Sequence, residues 1–517
     1  MKFFGLLLFS FICWTPSDCS NILGLFPHPG YSHFMVYKPI FDGLVQKGHN
    51  VTIVRYFNAS KTVGNFREIH LTGEPGIEVF DLSKIEPSRS FSMMYNEFWA
   101  LANEGQVACK HFYGSTAVHE IFDIHKKDPF DLVILEFFNT DCLLGLVHIL
   151  NIPFIGVSSC ALMPWHYDRV GLPDFPSFIP NEFVNFSEYM NFWERFVNFV
   201  VTKGTKLLYK YVEKFDNEII KEKLHIDVDV HEIAKNTSLI FVNQHYTLNG
   251  ARPLQNKVVE IGGVHINNNT QTLPKEIDHF LSSAKNGVIF VSWGSMVKGS
   301  SIPTSKLTSM IKVFKRLPQN ILWKWESDDV PVTNKKFFFS QWTPQKDILC
   351  HPNVKLFWSH GGLLGVSEAV YCGKPLLVTP IYGDQFLNAK AAENRNVAQI
   401  LPFEDINDNN LLNKLKTLLS QSYAENAKQL SRIYKYRQTT PLETALWWIE
   451  YVISSKGNKL AFSPSSEMSW YAYHSLDVVG FLCAALCTTL AAAIFCRRFY
   501  RTLIRWKALW QFLKRSK

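Results

Sequence analysis

The chain has no Cys-x-x-Cys pair, no internal repeat and, at 19% charged residues, little charge for its 517 residues. The missing Cys-x-x-Cys argues against a zinc site. Two of the ten cysteines lie near the N-terminus and three in or beside a long apolar run near the C-terminus. That leaves Cys109, Cys142, Cys160, Cys350 and Cys372, an odd number that suggests no disulfide scaffold. Most of them are expected to serve as small buried hydrophobes. Excess positive charge is also missing from the body. The net charge is +8, and Arg497–Lys517 alone carries eight Lys or Arg and no acidic residue. No basic face remains for nucleic acid, and the basic tail reads as facing lipid. With 47% hydrophobic residues, the chain has ample material for large cores and is too long for one ordinary domain.

The two ends read as targeting and anchoring segments. Lys2 followed by the apolar Phe3–Trp14 and the small Ser17-Asp18-Cys19 is expected to be a secretory signal over residues 1–20. Val478–Cys496 is uncharged and long enough to cross a bilayer, with Trp470, Tyr471 and Tyr473 just before it. The positive charge behind it places residues 497–517 in the cytosol and the body in the lumen. Five Asn-x-Ser/Thr sequons, at Asn50, Asn58, Asn185, Asn236 and Asn268, all fall on the lumenal side. Lys514-Arg515-Ser516-Lys517 resembles a dibasic retrieval signal of endoplasmic reticulum membrane proteins. The expected localisation is the endoplasmic reticulum membrane, as a single-pass type I protein.

Between the ends, short apolar runs alternate with helical stretches. Ile22–Phe26, a loop, a helix closed by Gly48 and Val51–Val54 form a βαβ unit. Leu132–Leu135 and Phe154–Val157 repeat the theme, so residues 21–270 read as one α/β domain. Strands at Val288–Val291, Ile321–Trp325, Val354–Trp358 and Leu376–Thr379, with helices between them, make residues 271–454 a second. Pro441–Ser454 is its last helix, and 455–477 a linker to the membrane. The aromatic-rich stretch from Phe91 to Phe215 reads equally as core packing or as an apolar pocket or membrane-facing patch.

The chemistry is carried by Phe357-Trp358-Ser359-His360-Gly361-Gly362, followed by Gly365, Glu368, Gly373, Pro375, Pro380, Asp384 and Gln385, with Trp342-Thr343-Pro344-Gln345 upstream. A strand that delivers a histidine and two glycines to a helix start suits a diphosphate, because free backbone N–H groups and the helix dipole favour it there. The constellation resembles the signature of the UDP-glycosyltransferase family that includes the UDP-glucuronosyltransferases, and the resemblance runs the length of the chain. It implies a GT-B architecture, an α/β fold of two facing Rossmann-like domains plus a C-terminal transmembrane helix. The N-terminal domain would bind the acceptor and the C-terminal domain the UDP-sugar. In that reading Trp342 stacks on uracil, Gln345 bonds its edge and Glu368 accepts the ribose hydroxyls. His360, Gly361, Gly362 and Gly365 meet the diphosphate, Ser295 lies on a second phosphate loop, and Asp384 and Gln385 hold sugar hydroxyls. Vertebrate members typically carry Asn where this chain has Leu364, and Ser-His-Gly-Gly-Leu-Leu-Gly is more like invertebrate members, which favour UDP-glucose.

The resemblance also assigns His33, in Gly30-Tyr31-Ser32-His33, as general base, a role suited to imidazole near neutral pH. His28, enclosed by Pro27 and Pro29, is a neighbouring competitor. Two carboxylates compete as the partner of His33. Gapless alignment points to Glu136 at a strand end. Asp141, at a helix-starting loop, keeps the residue type and is preferred for its reach, against its plain reading as a helix N-cap. Asp227-Val228-Asp229 mimics a metal-binding D-x-D but sits in a polar stretch, so no metal and no cofactor is expected, UDP-sugar being a co-substrate. The expected function is inverting transfer of a sugar, glucose first and glucuronate second, to small lipophilic acceptors for detoxification. A homo-oligomer is left open. The rivals are a metal-dependent transferase and a lumenal binding subunit without turnover.

Overall fold

The computed structural model describes residues 19–57, 64–73, 81–84, 90–266, 272–457 and 463–515. Most of the expected signal, the sequons at Asn58 and Asn268 and the last two residues lie outside these. The chain divides into two units, residues 1–462 and 463–517.

The first unit contains two parallel sheets. Asn21–Leu25 (β1), Asn50–Arg55 (β2), Phe66–His70 (β3), Leu132–Glu136 (β4), Phe154–Ser158 (β5), Leu239–Val242 (β6) and Val258–Glu260 (β7) form the first, ordered β3-β2-β1-β4-β5-β6-β7. Val288–Ser292 (β8), Asn320–Lys324 (β9), Phe337–Ser340 (β10), Val354–Ser359 (β11), Leu376–Val378 (β12) and Ala398–Ile400 (β13) form the second, ordered β10-β9-β8-β11-β12-β13. The continuous apolar runs are explained by burial on both faces. Leu23, Val133 and Leu135 point into one core cluster, and their neighbours Ile22, Leu132 and Ile134 into another. In the second sheet Ile289 and Val291 separate in the same way from Val288 and Phe290. Strand order reverses between β1 and β4 and again between β8 and β11. In such sheets ligands bind beyond the carboxyl ends of the strands at these points.

Two expectations are corrected here. Helix Pro441–Ser454 does not pack with the second sheet. Its Ala445, Leu446, Ile449 and Val452 are buried in the cluster that contains Ile22, Ile134 and Phe241 of the first sheet. It lies along helix Tyr31–Gln46, with Lys47 reaching Glu450 at 2.8 Å. The cysteines are not all lone hydrophobes either. Cys109 pairs with Cys142 and Cys350 with Cys372, across 33 and 22 residues of sequence, leaving Cys160 free and buried. The odd count concealed an even set plus one.

The aromatic-rich stretch also divides. Phe98, Trp165, Tyr209 and Val212 form a buried cluster with Leu363 of the second half, whereas Phe192, Trp193, Phe196, Phe199 and Tyr211 are exposed on the long helix Phe192–Leu224. Of the sequon asparagines described, Asn185 and Asn236 are exposed. Asn50 begins β2, where its side-chain amide donates to Asn21 Oδ1 at 2.8 Å.

In the second unit, helix Leu476–Arg515 runs for 40 residues with none buried. It is long and apolar enough to cross a membrane. It contains the whole of the expected span and continues through most of the basic tail as helix.

Candidate active site

A cleft of about 1300 Å³ runs between the two sheets of the first unit. Its lining brings together His33, Ser295, Trp342, Gln345, His360, Gly362, Gly365, Glu368, Asp384 and Gln385 from the sequence reading.

On the N-terminal side, β1 ends at Leu25 and the loop through Gly30 starts the helix that carries His33. β4 ends on Glu136. Nδ1 of His33 bonds directly to Oε1 of Glu136. Ser159, just past β5, completes the group, its Oγ lying 2.8 Å from His33 Nδ1 and 3.3 Å from Glu136 Oε1. Burial opposes the charged form of His33, but Glu136 outweighs it, helped by Glu104 and Asp384, so the imidazole pKa is raised. Burial works against the Glu136 carboxylate too, and His33 and His28 overcome it, lowering Glu136 to about 2. The carboxylate therefore stays charged, and it favours the imidazolium that forms when His33 takes up a proton. Nε2 of His33 is left to meet a substrate.

His28 is no equal competitor. Its ring stacks on His33 with centroids 4.0 Å apart, and its Nδ1 accepts the Gly30 N–H at 2.9 Å. Burial, then the neighbouring His33, lowers it to about 3, so it stays neutral. His28, His33 and Glu136 could each offer one ligand atom to a metal, all within 4.8 Å of one another, but Nδ1 of both histidines is already hydrogen-bonded.

The preference for Asp141 over Glu136 is corrected by this geometry. Asp141 is 2% exposed and its carboxylate is bonded to the Arg169 guanidinium and to the Tyr209 hydroxyl. Its backbone N–H donates to Asp216 at 2.7 Å. Arg169 lies 28 residues further along the chain and claims the carboxylate for the interior. The Asp227-x-Asp229 pair is also structural. Asp229 caps the short helix Val230–Lys235 and Asp227 meets Lys221 in solvent.

On the C-terminal side, β11 delivers His360 to helix Leu363–Tyr371, which starts after Gly362 with no side-chain cap, so its first N–H groups are free to bind. His360 is clasped between two glycines. A Cβ at Gly294, where φ is +77°, or at Gly362 would lie 2.6 Å from the imidazole. Burial, then Lys324, lowers His360 to about 4, so it presents a neutral ring. Lys324 itself donates to the Gly294 carbonyl at 2.7 Å, bracing the loop that carries Ser295.

Glu368 accepts from Gln345 Nε2 at 2.7 Å, and burial lifts its carboxyl to about 7. Trp342 is 62% exposed and touches Tyr31 across the cleft, centroids 5.9 Å apart. Asp384 accepts from Asn388 Nδ2 at 2.9 Å, and Asn388 also donates to the Gly361 carbonyl. Gln385 spends its Oε1 on the N–H groups of Ile381 and Tyr382, so only its amide nitrogen is left for a ligand. Leu364, like Leu442, packs against the first sheet's cluster, which gives the apolar replacement a role in joining the halves.

Ser159, Asn388 and Lys324 were missed in the sequence. Ser159 could have been found, since it follows a strand at the same sheet edge as His33 and Glu136. Nothing local marks Asn388 or Lys324.

Comparison with known proteins identifies the family and the fold. The family described as UDP-glucoronosyl and UDP-glucosyl transferase matches residues 25–508. UDP-glycosyltransferase UGT5 of Dactylopius coccus is 36% identical, the match covering 93% of this chain and 91% of the relative. UDP-glucuronosyltransferase 2B13 of Oryctolagus cuniculus is 30% identical over 95% of each. Among solved structures, a UDP-glucosyltransferase from Polygonum tinctorium capable of glucosylating indoxyl, in complex with 3,4-dichloroaniline, aligns with a TM-score of 0.58. It shares 16% identity, over 85% of this chain and 99% of that one. LpCGTa in complex with UDP aligns at 0.53 and 15%, over 84% and 99%. The chain belongs to the UDP-glycosyltransferase family that includes the UDP-glucuronosyltransferases, and is a glycosyltransferase of GT-B fold.

Proposed function

We propose that this enzyme transfers glucose from UDP-glucose, with inversion and without a metal, to the hydroxyl of small lipophilic acceptors, as a detoxifying conjugation. The observation that carries the reading is the His33–Glu136 pair, whose His33 lines the same cleft as the uncapped helix start after Gly362. His33 Nε2 takes the acceptor's proton as the oxygen attacks the anomeric carbon. The bond from that carbon to the diphosphate breaks, and the backbone N–H groups at Leu363 and beyond receive the developing charge on UDP. Glu136 stabilises the imidazolium that forms. Trp342 stacks on the uracil, Glu368 accepts the ribose hydroxyls, Ser295 and His360 reach the phosphates, and Asp384 with Gln385 holds the sugar.

Glucose is preferred over glucuronate on charge. Among the described residues lining the cleft the one arginine is Arg437, and it is committed to the carbonyls of Gly262 and Tyr434. Asp384 would repel a sugar carboxylate. A screen of UDP-sugars against a panel of phenols, read by mass spectrometry in excess EDTA, tests the reading. The expected product is a glucoside with inverted configuration. Turnover with UDP-glucuronate alone would reverse the sugar assignment, and loss of activity in EDTA would move a metal to His28, His33 and Glu136.

Replacing Glu368 with Ala is expected to raise the donor KM by roughly 5–150-fold, the value of hydrogen bonds worth ~1–3 kcal/mol, with acceptor KM little changed. An unaltered donor KM would take the ribose away from this carboxyl.

The proposed setting is the endoplasmic reticulum lumen, after signal removal, with Asn185 and Asn236 glycosylated and the tail cytosolic. The paired cysteines suit an oxidising compartment. In sealed microsomes, added protease should remove only the basic tail. Digestion of the Trp342–Gln385 segment there would reverse the topology.

A further inference from the structure

One carboxyl on the N-terminal wall of the cleft has nothing to bind. Glu182 lines the cleft together with Leu101, Phe138, Cys160, Met163 and Phe183 and is 4% exposed. Its carboxyl makes no hydrogen bond or ion pair among the described residues, and its Oε2 is buried without a partner. The neighbouring Asn181 shows the contrast. Its backbone N–H donates to Asn198 at 2.8 Å and its side chain engages Thr202, Thr205 and the Phe183 N–H. The structure thus satisfies the polar group behind the wall and leaves the one on it open. Buried polar groups without partners are rare and call for an explanation.

The charged groups that face Glu182 are Arg252, whose guanidinium donates to the Tyr167 hydroxyl at 3.2 Å, and Asp384. Burial lifts the Glu182 carboxyl to about 8, with Arg252 opposing, so near neutral pH it is uncharged and offers both an O–H donor and an acceptor oxygen. Glu182 shares the lining of the cleft with Cys160, His33 and Asp384, which sets the open carboxyl and the reacting groups in one cleft. Around it the wall is apolar. Pockets of this kind bind by apolar contact and orient their ligand with a few polar groups.

We infer that Glu182 is a specificity-determining residue, which recognises a second neutral oxygen function, a hydroxyl or carbonyl, on an acceptor whose other end presents the reacting hydroxyl to His33. The inference rests on the proposed reading of this half of the cleft as the acceptor site. An acceptor lacking the second oxygen leaves the carboxyl unpaired in the complex, and sites built around a buried polar group discriminate strongly against such analogues.

The test is a series of 4-alkylphenols of increasing chain length, each matched with its ω-hydroxyalkyl counterpart, assayed with the best UDP-sugar. For the wild-type enzyme, kcat/KM is expected to favour the hydroxylated member by about tenfold or more at one chain length, mainly through KM. In Glu182→Leu the ratio should fall to about one. Glu182→Gln, whose amide can still donate and accept, should keep most of it. UDP affinity measured by calorimetry serves as the folding control for both variants. If Glu182→Leu loses that affinity, Glu182→Met takes its place. The inference is overturned if the wild-type enzyme shows no preference at any chain length, or if the preference survives in the apolar variant. Failure of every phenol to turn over would instead overturn the acceptor reading beneath it.

Discussion

Replacing His33 with alanine should lower turnover by ~10²–10⁴ while UDP affinity stays unchanged, because the imidazole acts on the acceptor and touches no part of the nucleotide. The pH profile of the wild-type enzyme carries the same information. A base works only when unprotonated, and Glu136, Glu104 and Asp384 together raise the pKa of His33 above 6.5 against the effect of burial. The rate should therefore climb with pH along a limb lying above 6.5. In His33→Ala that limb should vanish from whatever activity remains. Near-normal turnover in this variant would remove the base assignment and leave His28, whose neutral ring is already hydrogen-bonded through Nδ1, as the next candidate.

The second large effect separates two carboxylates five residues apart. Glu136→Gln keeps the shape but removes the charge that raises the His33 pKa and stabilises its imidazolium. Turnover should fall by a factor approaching that of His33→Ala, and the acid limb should shift to lower pH, since the largest influence raising the imidazole has gone. Asp141→Asn should behave differently. Its carboxylate is the partner of the fully buried Arg169, and removing one member of such a pair costs about 3–5 kcal/mol of stability. The expected result is a protein with a lower melting temperature whose folded fraction retains its pH profile. A displaced limb in Asp141→Asn, with an undisturbed one in Glu136→Gln, would return the orienting role to Asp141.

These two residues show where the sequence is readable and where it is not. Strand ends are legible, because β1, β4, β8 and β11 are mostly apolar runs ended by Pro, by Glu, by a Ser-Trp-Gly turn or by a Ser-His-Gly turn. The residues just past such ends meet at a switch point. His33, Glu136, His360 and Gly362 could therefore be found together. The fate of Asp141 depended on Arg169, in a segment with no strong pattern, and no local rule pairs two side chains through the interior. The same limit hid the disulfides. Cys109 sits mid-helix and Cys142 just before a helix, and only the fold brings them together. Gln385 is a subtler case. Its motif position was legible, but the turn at Ile381–Tyr382 consumes its oxygen, which spacing alone does not reveal.

Helix Pro441–Ser454 has a consequence for recombining these enzymes. Its sequence neighbours belong to the half built on the second sheet, while its apolar face, Ala445, Leu446, Ile449 and Val452, completes the core of the first. Contact with Leu446 also fixes what can stand at position 43, where a Cβ would lie 2.9 Å from that side chain. A chimera made with one crossover, between β7 and helix Lys275–Ser283, would set a foreign strap on a native groove. Two crossovers avoid this, the second falling before Pro441, so that the borrowed second-sheet half is an insert and both ends of the first-sheet half come from one parent. On the proposed assignment of the UDP-sugar to the second half, exchange of sugar preference between relatives is a matter of transplanting the middle of the chain.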